Sequence, residues 1–232
     1  MNHRACLPSV LLLTALLCPD RAEAAGSCED LTRLALPAAR VLSAQRVASG
    51  TFSPAGGSVG GALQRAFAKL PTFCRVVVSS SPSADSDIQI EVWLPESGWN
   101  GRLQAVGDGG LAGSIPFSSM APALSEGYAT SGTDTGHVGG NADFMPAHPE
   151  KLVDFAYRST HEMAVAGKAA VAAFYGRPPT WSYYNACSGG GRHALTSAER
   201  YPNDFQGIVA GAASWNQARL DAGRIEIGRA HV

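Results

Sequence analysis

The spacing of apolar residues changes character near residue 110. Before it, Phe73-Cys-Arg-Val-Val-Val78 is a short apolar run, and Ile88-Gln-Ile-Glu-Val-Trp-Leu94 alternates apolar and polar residues until Trp93. Both patterns predict strands. Ser79-Ser-Ser-Pro-Ser83 supplies a turn between them. A third strand is predicted over Arg102-Leu-Gln-Ala-Val106, stopped by the glycines at 107, 109 and 110, so that three strands follow at hairpin-like spacing. Beyond it, strands and helices alternate. Gly127 to Ser131 predicts a short strand, and Glu150 to Tyr175 a long helix with Leu152, Phe155, Ala156, Met163, Ala166, Ala170 and Phe174 on one face, ended by Gly176 and Pro178. Trp181 to Ala186 is the next strand, Gly190 to Tyr201 the next helix, and Gly207 to Gly211 a further strand.

Strand, helix, strand, helix, strand requires crossover connections and therefore a parallel sheet with covering helices. An antiparallel start leading into such a half predicts the α/β class, with a partial α/β-hydrolase-like sheet. Composition agrees: 45% hydrophobic and 16% charged residues in a 232-residue chain is ordinary globular material for one sizeable domain or part of a larger one. Lys plus Arg number 18 against 19 Asp plus Glu, which excludes an electrostatic case for nucleic acid or an anionic membrane surface. A small-molecule partner is expected instead.

The N-terminus has the form of an export signal over residues 1–24: His3 and Arg4, an apolar run from Leu7 to Leu17, then small residues around Ala22-Glu-Ala24. The run is too short for a bilayer span of about 20 residues. The bulky Leu17 before Cys18 disfavours a lipidation site. Localisation is thus expected to be secreted or periplasmic, where cysteines can pair. Cys28 and Cys74 are the natural couple, worth about 4 kcal/mol by loop-closure entropy. Cys187 is then left over, either reactive or awaiting a partner.

The candidate chemistry lies in Ala186-Cys-Ser-Gly-Gly190, at a strand end and a helix start, where a hydrolase nucleophile elbow belongs. The elbow needs small residues two before and two after the nucleophile. Ala186 and Gly190 satisfy that for Ser188, whereas centring on Cys187 would put Asn185 at a tight position. The Gly189 N–H would then face a developing oxyanion, with a second donor from the glycine-rich loop, Gly109 or Gly110. Asp134 and His137 follow a strand and either line the same cleft or stabilise a turn. His161 reads as packing or surface, and His193 points away from the hydroxyl on the elbow's own helix.

These residues resemble the tannase and feruloyl esterase family of secreted serine esterases. The resemblance rests on Glu91-Val-Trp-Leu-Pro95, Trp99-Asn-Gly-Arg102, Val106-Gly-Asp-Gly-Gly-Leu-Ala-Gly113, Gly127 to His137, and Cys187-Ser-Gly-Gly-Gly-Arg192 through Gly211, in that order. It implies hydrolysis of aromatic acid esters through an acyl-enzyme on Ser188. It also implies that Cys187 pairs with a cysteine beside the catalytic histidine, and that this cysteine, the catalytic Asp and His, and a lid able to carry calcium all lie beyond this chain. Asp204 reads as structural; Asp221 and His231 lie near the end of the chain. The last seven residues can be encoded by a common sequencing-adapter sequence, so 225–232 is expected to be a non-native tail after a catalytic-domain segment over 25–224. No cofactor or metal is expected within these residues. A thiol-redox protein using Cys187, or a non-catalytic module binding phenolics or carbohydrate, is the alternative.

Overall fold

The computed structural model describes residues 26–54, 60–111, 113–216, 219–220, 222–223 and 226. The expected leader, Cys18, Asp221, His231 and all of the expected tail except Glu226 lie outside these residues.

Seven strands form one sheet: β1 (Ala39–Val47), β2 (Phe73–Ser80), β3 (Ile88–Pro95), β4 (Arg102–Val106), β5 (Ala129–Thr133), β6 (Trp181–Cys187) and β7 (Gly207–Gly211). Their spatial order is β1-β2-β3-β5-β4-β6-β7. β1, β2, β3 and β5 pair antiparallel; β5, β4, β6 and β7 pair parallel. The expected mixed α/β sheet is therefore present, with one correction. β2 and β3 make a hairpin, but β4 does not continue it, because β5 lies between β3 and β4. The reason is burial on both faces: Leu103 and Ala105 enter one core and Val106 the other, which suits an interior parallel position.

Those two cores lie on opposite faces of the sheet. On one, Val76, Ile90, Val92 and Leu103 pack beneath α4 (Ser159–Tyr175), and Tyr184 continues the layer with Ala194 of α5 (Gly189–Arg200). On the other, Phe73, Trp93 and Val106 meet Phe67 of α1 (Gly61–Phe67) and Met120 of α2 (Phe117–Ser125). The alternation in β3 predicted polar positions on one face, yet Glu91 is only 4% exposed. Arg75 pairs with its carboxylate, and the Trp93 indole N–H donates to it at 2.9 Å, so the charge is buried with its partners.

The single helix expected over 150–175 has three parts. A short α3 (Pro149–Val153) runs into a π turn (Asp154–Arg158) before α4. Arg158 organises the wide turn, with Nε donating to Asp154 Oδ1 at 2.6 Å and Nη2 to Glu150 Oε2 at 2.7 Å. Gly176 ends α4 at φ 69°, a left-handed cap that glycine adopts without a Cβ penalty. Cys28 and Cys74 are joined by a disulfide, with Cα atoms 5.4 Å apart. β6 and β7 leave part of one sheet face uncovered: Trp181 is 48% and Val209 60% exposed.

Candidate active site

β6 runs in parallel beside β7, and the chain turns sharply from its last residue, Cys187, into α5. Ser188 occupies that turn at φ 58° and ψ −119°, a conformation that a residue with a side chain rarely adopts. The surrounding backbone fixes it there: the Ser188 N–H donates to Gly211 O at 2.9 Å, and its carbonyl accepts the Arg192 N–H at 3.0 Å. Neighbouring small residues make the turn sterically possible. A Cβ on Gly190 would lie 2.6 Å from Asp108 O and 2.9 Å from the Ala186 Cβ. Strand and helix thus touch where the register of the sequence required.

The loop after β4 wraps over this turn. The Gly190 N–H donates to Asp108 O at 2.7 Å, and a Cβ on Gly189 would meet Gly110 O at 2.6 Å and Gly110 N at 3.0 Å. Of the two expected second donors, Gly109 gives its N–H to Asp108 Oδ1 at 2.8 Å. The N–H groups of Gly110 and Gly189 have no acceptor among the described residues. Among the described residues the Gly109 N–H is thus taken by its neighbour, and the Gly110 N–H is not.

Two clefts meet at half-buried Ser188. One, of about 570 Å³, runs past Asp108, Ser118, Pro122, Asn185 and Cys187 over the uncovered sheet face. The other, of about 460 Å³, is lined by Gly110 and Gly189 together with Leu111, Met145, Phe155 and Arg192. The second contains both unspent N–H groups and is the more apolar in its side chains, which suits an aromatic ligand. Periodicity alone assigns Phe155 and Ala156 to a helix's packing face. The π turn directs it and Ala156 into this cleft, and neither that turn nor the part played by Met145 has a periodic signature in sequence.

Asp134 and His137 line neither cleft. Asp134 Oδ1 accepts the N–H groups of Gln89 (3.0 Å) and Gly136 (2.8 Å), a turn-stabilising role. Burial pushes its carboxyl up to about 7, against the opposing effect of those two donors. His137 acts on the loop above Ser188. Its Nε2 lies 2.8 Å from Leu111 O and its Nδ1 3.2 Å from the Thr135 hydroxyl. A carbonyl only accepts, so Nε2 carries the proton and Nδ1 receives one from Thr135. Gly113 and Gly139 join the same two loops by a pair of backbone hydrogen bonds.

No described histidine reaches the Ser188 hydroxyl. His148 pairs with Asp85, and His161 pairs with Asp204 at 2.8 Å and stacks on Tyr201. His193 faces inward, accepts from Arg192 at 2.9 Å, and is pushed down to about 3 by burial and then by the Arg192 charge. Asp204 is occupied by His161, the structural part expected of it. The Cys187 thiol is exposed and unpaired among the described residues. No group of three or more His, Cys, Asp or Glu side chains among those residues is placed to hold a metal ion. No described helix is long and apolar enough to cross a membrane.

Comparison with known proteins gives consistent matches. The family model described as tannase and feruloyl esterase matches residues 74–231. An uncharacterized esterase of Xanthomonas campestris pv. campestris is 41% identical over 213 residues, 91% of this chain and 35% of the relative. The probable feruloyl esterase B-2 of Aspergillus terreus is 44% identical over 147 residues, 63% of this chain and 28% of the relative. The crystal structure of feruloyl esterase B from Aspergillus oryzae superposes with a TM-score of 0.73 at 35% identity, covering 82% of this chain and 37% of that one. The chain thus spans about a third of the length of these relatives.

Proposed function

The chain belongs to the tannase and feruloyl esterase family, and from that premise we propose that it carries the nucleophile and oxyanion half of a carboxylic ester hydrolase acting on esters of aromatic, phenolic acids. The observation that carries the reading is the Ser188 elbow, with its strained backbone and two unspent N–H groups beside it. Ser188 Oγ adds to the ester carbonyl. The negative charge that develops on the carbonyl oxygen is met by the N–H groups of Gly189 and Gly110, already oriented and held by the loop contacts. Collapse expels the alcohol and leaves an acyl-enzyme on Ser188, which water then releases.

The base that takes the Ser188 proton is a histidine outside the described residues, and with its acidic partner it belongs to a longer parent chain. Cys187 is the tether of that parent, bridging to a cysteine beside the catalytic histidine. Calcium, where the parent uses it, belongs to the lid beyond these residues. Residues 1–24 act as an export signal.

The test is labelling by a fluorophosphonate probe, mapped to a residue, together with hydrolysis of methyl ferulate and methyl gallate. The full gene product is expected to label at Ser188 and to lose activity as Ser188→Ala. The 232-residue chain alone is expected to be slower by about a millionfold, as for an enzyme without its base. Label on Cys187, or ligand binding with no serine-dependent turnover in the full product, would replace this reading with a thiol-based or a non-catalytic one.

A further inference from the structure

The second cleft contains a cation that pairs with no anion among the described residues. Arg192 projects from the first turn of α5 into the wall of that cleft, one helical turn after Ser188. Its guanidinium lies 4.7 Å from the centre of the Phe155 ring, and Nη2 is 2.9 Å from His193 Nε2. Neither contact neutralises it. An aromatic face attracts the charge weakly, and His193 is held neutral in this buried position. Arg192 appears in none of the ion pairs formed among the described residues.

Its place on the helix sharpens the point. The N-terminal end of a helix carries partial positive charge, and acidic side chains are favoured there and basic ones disfavoured. The first turn of α5 holds no acidic residue, so Arg192 adds its charge to the positive end of the helix beside the nucleophile. Burial lowers the Arg192 pKa from its ordinary value, the sign of an incompletely compensated charge. A guanidinium has five donors in a planar fork suited to a carboxylate. The remaining lining, with Leu111, Met145, Leu152 and Phe155, suits an aromatic ring.

The geometry points to Arg192 as a binding residue for a carboxylate carried by an aromatic ligand in the cleft beside Ser188. This rests on the reading of that cleft as the ester site, and it names the chemistry of the ligand. The carboxylate has two sources: the acid released by hydrolysis, or a second acidic group on the ring of the ester.

Direct binding to the 232-residue chain, measured by titration calorimetry or by chemical-shift titration, tests it without requiring turnover. The probes are benzoate, its neutral counterpart methyl benzoate, and 3-(methoxycarbonyl)benzoate, which carries both groups. Wild type is expected to bind at least one of the two anions about 10- to 100-fold more tightly than methyl benzoate, the range of a charge-assisted hydrogen-bonded pair. Arg192→Leu is expected to remove that preference and Arg192→Lys to keep part of it. Where the leucine variant fails to fold, Arg192→Gln carries the test. Tight benzoate binding points to held product, and binding of the ester-acid alone points to a substrate substituent. Absence of binding by both anions, equal binding of all three probes by wild type, or a preference that survives in Arg192→Leu or Arg192→Gln overturns the inference. Labelling of Ser188 in the full gene product is a separate readout, so failure here leaves the esterase reading standing, and the reverse also holds.

Discussion

Two loops with nearly the same residue vocabulary lie side by side above the sheet and do opposite things. Gly107–Leu111 follows β4 and the 134–140 loop follows β5, each rich in glycine and each opening with an aspartate that binds a glycine N–H. In the first, the aspartate is exposed, and one further glycine leaves its N–H unspent beside Ser188. In the second, the aspartate is buried, and its polar groups turn inward or reach across to hold the first loop through His137 and Gly139. What separates the two loops is therefore which neighbours already consume their hydrogen-bonding groups.

The largest effect that would sharpen the comparison is pH-dependent. Asp134 titrates near 7 in the folded chain, against an ordinary carboxyl value of 3.8. The folded state then binds a proton that the unfolded state has released, so the contribution of Asp134 to stability falls as pH climbs from about 4 to 7, by up to roughly 4 kcal/mol. His161, whose pKa is raised by its bond to Asp204, adds a decline only above its unfolded value of about 6.5, whereas His193, pushed down to about 3 by burial, adds an opposing rise between about pH 3 and 6.5. The difference in urea midpoint between wild type and Asp134→Asn at about pH 4 to 6 therefore isolates Asp134. Asp134→Asn should gain stability relative to wild type as pH climbs from about 4 to 6, because the falling contribution is removed. A difference that does not change with pH would mean that burial does not raise the Asp134 carboxyl.

Next in size is the contact between the donor loop and the elbow. Gly190→Ala places a methyl group against Asp108 O and the Ala186 Cβ, and is expected to cost about 3 kcal/mol in thermal or urea unfolding. A fully stable alanine variant would show that strand and helix do not touch there.

Removing the tether comes third. His137→Phe leaves Leu111 O without its donor and should cost about 2 kcal/mol. Amide exchange at Gly109 and Gly110 should accelerate well beyond the global change, and His137→Gln should recover part of the protection. Unchanged exchange would break the supporting part given to the second loop. Smallest is Gly140→Ala, where nothing lies within 4 Å of the added carbon, expected within about 0.5 kcal/mol of wild type.

The elbow was legible in sequence because it rests on a local steric rule: small residues at 186 and 190 around one serine. The Cys28–Cys74 pair and strands β2, β3, β5, β6 and β7 were legible for similarly local reasons. β1 escaped notice because, as an edge strand, it mixes half-buried and exposed positions without a strong period. α2 contains Pro122, which reads as a breaker, yet the helix continues through it. Whether Gly109 or Gly110 offers its N–H was not legible, since it depends on the Asp108 rotamer. The positions of Phe155 and Arg192 in the cleft were not legible either, because a π turn and the packing of two helices set them.

The conformation of Ser188 also bears on how this position can change. Glycine would adopt φ 58° and ψ −119° far more easily, so Ser188→Gly should be more stable than Ser188→Ala by about 1–3 kcal/mol, a difference that urea midpoints would read directly. Serine here stands against a thermodynamic bias toward glycine, so the one-residue change that would relax the turn most is also the one that would remove its hydroxyl.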